Sequence, residues 1–159
     1  MRYERATSSK PTARGCQTGT RALGMALRDV FPELQSMSGA YGCWNPRRVE
    51  GSATWSLHAE GRAVDTGVPA HRQEMAWSVV CHLVAQRLVY GTMRVIWSGH
   101  VWSTEHPSEW RTLRPTTNQH RDHFHVEQFW RSAVRPYATE YPTFRRELEA
   151  HREQLAEPG

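Results

Sequence analysis

Apolar residues recur along this chain with two different periods. Leu23, Ala26, Leu27, Val30 and Phe31 fall three and four apart, which predicts a helix that Pro32 stops. Met75, Ala76, Val79, Val80, Leu83, Val84 and Leu88 keep the same spacing and predict an amphipathic helix over 70–89, ended by Gly91. Shorter apolar runs lie between and after these helices. Residues 62–68 set Ala63, Val64 and Val68 around Asp65 and read as a strand entering the core, closed by Pro69. Residues 93–97 and 123–130 read as two more strands, and 36–43 as a short one. Asn45-Pro46 opens a loop that carries Arg47 and Arg48, and residues 142–156 read as a charged terminal helix. Residues 98–121 read as a long polar loop, expected to wall a cleft with Trp102 or Trp110.

This order predicts an α+β fold, a single compact domain in which helices pack against an antiparallel sheet. Residues 1–15 are polar, hold Pro11 and Gly15, and are expected to form a disordered arm. Residues 16–135 would be the domain, and 136–159 a helical tail.

At 159 residues the chain is long enough for one real core. No apolar run approaches the roughly 18 residues that span a membrane, so membrane insertion is not expected. The first residues carry charge but no apolar stretch follows, so no secretion signal is expected. That pattern predicts a protein that stays in the cytoplasm or leaves by another route, such as lysis. The net charge of +4 and pI near 9.3 suit an anionic partner. No basic block interleaved with aromatics points to nucleic acid, and a monomer is expected. Of three cysteines, none forms a C-x-x-C pair, which excludes a zinc finger. Cys16 and Cys43 could pair in an oxidising compartment, and Cys81 falls in a helical apolar pattern and is expected to be buried.

The candidate chemistry sits in two separated segments. The first runs from Ser56 through His58 and Gly61 to Asp65, and the second contains Asp122, His123 and His125, with His120 just before. His123 and His125 are two apart, so on a strand both rings share a face. Two imidazole nitrogens, one carboxylate oxygen and an open position for water would match a catalytic zinc site. An Asp inside an apolar strand needs a partner to offset its desolvation. The absence of thiolate fits zinc better than copper(I) or iron–sulfur. No G-x-S-x-G elbow surrounds Ser56, so its hydroxyl is expected to orient the loop rather than to attack.

The pattern Ser56-x-His58-x-x-Gly61-x-Ala63-x-Asp65 followed by Asp122-His123-x-His125 resembles the zinc D-alanyl-D-alanine peptidase family. That family includes VanY-type carboxypeptidases and the L-alanyl-D-glutamate endolysins of phages. The resemblance implies that His58, Asp65 and His125 bind Zn2+. It implies that Asp122 is the catalytic carboxylate and that His123 positions or stabilises the reacting group. It also implies an arginine before the first motif that binds substrate, Arg47 by its context, with Arg48 as runner-up. The implied function is a zinc metallopeptidase that hydrolyses amide bonds of peptidoglycan stem peptides. The alternative is a zinc-containing binding module of the same fold without catalysis.

Overall fold

The computed structural model describes residues 2–6, 13–36, 42–49 and 51–156. Helix α1 (Thr18–Val30) leads to a short strand, β1 (Gln35–Ser36). A 3-10 turn at Leu57–Glu60 precedes β2 (Ala63–Gly67), and another at Ala70–Arg72 precedes α2 (Gln73–Ala85) and α3 (Arg87–Tyr90). Strands β3 (Thr92–Trp97), β4 (His100–Ser103), β5 (His106–Thr112) and β6 (His123–Gln128) follow. Helices α4 (Trp130–Ala133) and α5 (Tyr137–Ala156) end the described chain. The strands form one sheet in the order β1-β2-β6-β3-β4-β5, and every pairing is antiparallel. The expected α+β architecture is the one observed.

Period-two alternation divides the central strands between two environments. Val95 and Trp97 of β3 and Phe124 and Val126 of β6 are fully buried. They share one apolar cluster with Leu23 and Leu27 of α1, Val79 and Val80 of α2, and Phe144 and Leu148 of α5. The helices therefore cover that face. The intervening residues, Arg94, Ile96, His125 and Glu127, line a cavity on the other face.

The predicted elements differ from the observed ones at several points. The segment 98–121 is not one loop: most of it is the β4–β5 hairpin, and the true loop is 113–122. Strand β5 is exposed along nearly its whole length, so no apolar alternation marks it. Trp102 is buried and donates to the Pro107 carbonyl within that hairpin, while Trp110 packs edge-on against Trp77. The helix expected over 70–89 starts as a 3-10 turn and is interrupted at Gln86. Gly91 does close it, in the left-handed conformation. Cys81 is exposed rather than buried. The terminal helix begins five residues before Pro142, at Tyr137. Most of the short strand expected over 36–43 lies outside the described residues. Residues 7–12 of the expected arm also lie outside them, but residues 2–6 lie against the sheet, with Tyr3 hydrogen-bonded to Glu127.

Cys16 and Cys43 form a disulfide, with Cα atoms 5.5 Å apart. It ties the start of α1 to the loop that carries Arg47. No helix among the described residues is long and apolar enough to cross a membrane.

Helix α5 packs mainly on α1 and buries Phe144 and Leu148 completely. It is therefore core rather than appendage. Phe144→Ala should cost about 3–5 kcal/mol, the usual price of a lost core aromatic. Urea unfolding of the full chain would measure it. A change below about 1 kcal/mol would mean that α5 is dispensable to the core.

Candidate metal centre

Each element brings one donor to a common point. Ser56 caps the 3-10 turn, its hydroxyl accepting from the His58 backbone N–H at 3.3 Å. The bond pins the backbone at His58, whose side chain is buried. Gly61 ends the turn at φ +67, and a Cβ there would strike the Gly15 carbonyl. Glycine is thus required both by conformation and by space. The chain then enters β2, whose register with β6 places Asp65 directly opposite His125.

The donor atoms form a small triangle. His58 Nε2 lies 3.1 Å from His125 Nδ1. Asp65 Oδ1 lies 2.8 Å from His125 Nδ1 and 3.1 Å from His58 Nε2. Edges of this size approach the roughly 3.3 Å edges of a tetrahedron drawn around a cation bound at about 2.0 Å. His58 and His125 are buried, and the Asp65 side chain is only 12% exposed. These three are a group that could hold a metal ion.

The hydrogen bonding around the triangle fits a cation as well. Without one, both rings direct an N–H at a single Asp65 oxygen. His125 Nε2 faces the Glu127 carboxylate at 3.1 Å, so both of its nitrogens must then be protonated. Burial opposes that charge, but the Asp65 and Glu127 carboxylates outweigh it and hold the His125 pKa up at about 9. A cation held by these three would let His125 stay neutral, with Nδ1 as its ligand atom and Nε2–H donating to Glu127. A carboxylate behind a ligating histidine is the usual outer partner of such a site.

The surroundings set the other charges. Burial would raise the Asp65 pKa, but the hydrogen bonds from His125 and His58 outweigh it and keep the carboxylate ionised. Burial lowers the His58 pKa, and Arg47 nearby lowers it further. For Glu127, burial is outweighed first by Arg94 and then by His125, which leaves its pKa at about 2.

The expected site residues separate into two groups. His58, Asp65 and His125 converge. Asp122 does not join them: its side chain is 76% exposed, and its carboxylate accepts from His123 Nδ1 at 2.7 Å. That hydrogen bond is the main cause of its lowered pKa. Arg47 and Ser56 line a cavity of about 780 Å³ onto which His125 opens. Arg48 instead stacks over Trp55, its guanidinium 4.6 Å from the ring centroid. The true loop contributes Thr116, Thr117, Asn118 and His120 to the cavity wall, whereas neither Trp102 nor Trp110 reaches it.

Two further residues stand at the site. His120 has φ +48, a strained value for a residue other than glycine. Its ring is held by Asn118 and stands 4.7 Å from that of His123 and 5.8 Å from that of His125, measured between centroids. Burial is the first cause that lowers its pKa, to about 4, so it is neutral. Glu127 is the second, and its position two residues after His125 on a strand puts it on the same face, a signal readable from the sequence.

The purified protein should contain about one divalent metal ion per chain by elemental analysis. His58→Ala, Asp65→Ala and His125→Ala should each remove most of it. Unchanged metal content in all three variants would rule out the triangle as the centre.

No curated protein and no solved structure matches this chain. A family model does match it, described as the C-terminal domain of VldE, over residues 12–124. The matched span holds His58, Asp65, Asp122 and His123 and stops one residue before His125. It covers well over half of the 159 residues, and the chain belongs to the VldE C-terminal domain family.

Proposed function

We propose that this protein is a zinc-dependent peptidase that hydrolyses amide bonds in peptidoglycan stem peptides. The observation that carries the reading is the buried triangle of His58 Nε2, Asp65 Oδ1 and His125 Nδ1, opening through His125 onto a cavity with Arg47 on its wall. Two imidazoles and one carboxylate, with no thiolate, form a donor set of the catalytic-zinc type. The similarity of the two motifs to the zinc D-alanyl-D-alanine peptidases supports the substrate class. The Cys16–Cys43 disulfide supports work outside a reducing cytoplasm.

Zinc, when bound, would lower the pKa of a coordinated water toward about 7 and polarise the scissile carbonyl. The chain's own residues do the rest. Asp65 supplies a ligand that stays anionic, and Glu127 fixes the His125 ring by accepting its Nε2–H. Asp122 and His123 form the proton-handling pair. Asp122 is ionised, holds His123 through Nδ1, and is exposed enough to take a proton and return it to the leaving amine. Arg47, on the cavity wall, would grip a substrate carboxylate with its planar fork, whereas Arg48 is engaged by Trp55 and by the Ala53 carbonyl.

Digestion of purified stem peptides followed by mass spectrometry tests the reading. The zinc-loaded protein should release fragments whose masses report one cleaved amide bond. Intact peptides in the presence of full zinc loading would leave a binding module instead of an enzyme.

Two substitutions examine the assigned roles. Asp122→Asn should keep the metal and lose on the order of 10²–10⁴-fold in turnover. A near wild-type rate would show that the proton goes elsewhere. Arg47→Lys keeps the charge but loses the bidentate fork, so kcat/KM should fall while metal content stays constant. Arg48→Lys, assayed beside it, should be close to wild type. Impairment of the Arg48 variant alone would reverse the assignment.

A further inference from the structure

The N-terminal segment reaches the metal centre from outside the two motifs. Tyr3 donates its hydroxyl hydrogen to Glu127 Oε2 at 2.7 Å. The other oxygen of the same carboxylate, Oε1, faces His125 Nε2 at 3.1 Å. Both oxygens are therefore committed, one to the outer chain segment and one to the ligand ring. Arg94 closes the arrangement: its guanidinium lies 4.1 Å from the centroid of the Tyr3 ring, and its Nε lies 3.7 Å from Glu127 Oε2. That separation is an ion pair without a hydrogen bond, so the directional contact on Oε2 comes from Tyr3. The segment is anchored beyond Tyr3 as well. Arg62, fully buried, donates to the Glu4 carbonyl at 3.2 Å, and the Glu4 carboxylate accepts from the Trp130 backbone N–H at 2.7 Å. Tyr3, Arg5 and Ala6 also form part of the cavity wall.

We propose that Tyr3 is a positioning residue of the metal centre, fixing Glu127, which in turn fixes the His125 ring. The inference rests on the reading of His58, Asp65 and His125 as metal ligands. A carboxylate held at one oxygen only can swing about its stem. Held at both, it presents a single direction to His125 Nε2–H, and Nδ1 on the far side of the ring is then aimed at the centre of the triangle. Tyr3 works through a two-step chain, Tyr3 to Glu127 to His125, and touches neither metal nor substrate itself.

Tyr3→Phe is the informative variant, because it keeps the ring over Arg94 and removes only the hydroxyl. Zinc affinity would be measured by competition with a chromophoric chelator. The Co2+-substituted protein would be compared by visible absorption, and the metal-free fold by near-ultraviolet circular dichroism. Loss of an outer partner commonly weakens metal binding by 10–100-fold. Tyr3→Phe, one step further out, should weaken zinc by about tenfold and alter the Co2+ bands, with the metal-free spectrum unchanged. Wild-type affinity together with wild-type Co2+ bands would overturn the proposal, since a packing role needs only the ring. A collapsed metal-free fold would overturn it too, by making Tyr3 structural. A wild type that takes up neither ion would remove the metal centre and this inference together. A wild type that binds zinc but cleaves no peptide would remove only the peptidase reading, and the Tyr3→Phe comparison would still decide the present one.

Discussion

The site depends on one pairing, that of β2 with β6. Asp65 stands opposite His125 in that register, which brings the two sequence segments to the same point. A sheet has a side-chain period of two, so a slip of one residue would carry His125 to the helix-covered face and Phe124 into the cleft. The register is defended by the other face. Phe124 and Val126 are completely buried against α1, α2 and α5, and a slip would replace them in the core with imidazole and carboxylate groups. Hydrophobic burial on one side of β6 thus holds the polar geometry on the other.

A second constraint is the number of charged groups placed out of water. Arg62 and Glu60 are both buried, two residues apart on either side of Gly61, and are joined by hydrogen bonds of 2.7 and 2.9 Å. Arg62 also donates to the Gln128 carbonyl and lies over the Trp130 ring. Such a pair is tolerable only when its hydrogen bonds are fully used, and breaking one partner leaves a buried charge. Here it fastens the turn carrying His58 to the far end of β6 and to the N-terminal segment. Gln17 reinforces the same turn, its backbone N–H donating to the Gly61 carbonyl and its side chain to the Glu60 carbonyl. The disulfide beside Gln17 then ties this frame to the Arg47 loop. The position of Arg47 relative to His58 follows from these ties, and its positive charge contributes to the low pKa of that histidine.

The cavity collects opposite tendencies. Arg5, Arg47 and Arg94 line it, and the one carboxylate among its described lining residues, Glu127, is occupied by His125 and Tyr3. A basic wall next to a buried anionic ligand favours a substrate that carries its own carboxylate, in keeping with the proposed stem-peptide reading. The strained backbone at His120 belongs to the same wall.

Much of this was readable from local pattern. The α1 and α2 faces, β2, β3 and β6 follow from apolar spacing, because burying one face imposes its period on the sequence. The donors His58, Asp65 and His125 were legible because an acidic residue in an apolar strand, and two histidines at strand spacing, are costly unless they meet a partner. The β4–β5 hairpin was not legible, since an exposed strand such as β5 has no burial to write a period into it. Cys81 sat in a helical apolar pattern yet faces water, because the pattern there is broader than the buried stripe. The contact between Tyr3 and Glu127 was decided only by tertiary structure. Glu127 could be placed on the His125 face from sequence, but the hydrogen bond from a residue 124 positions earlier could not. Local sequence determines which face a side chain takes. The partner it finds across the chain depends on sheet register and on where distant segments pack.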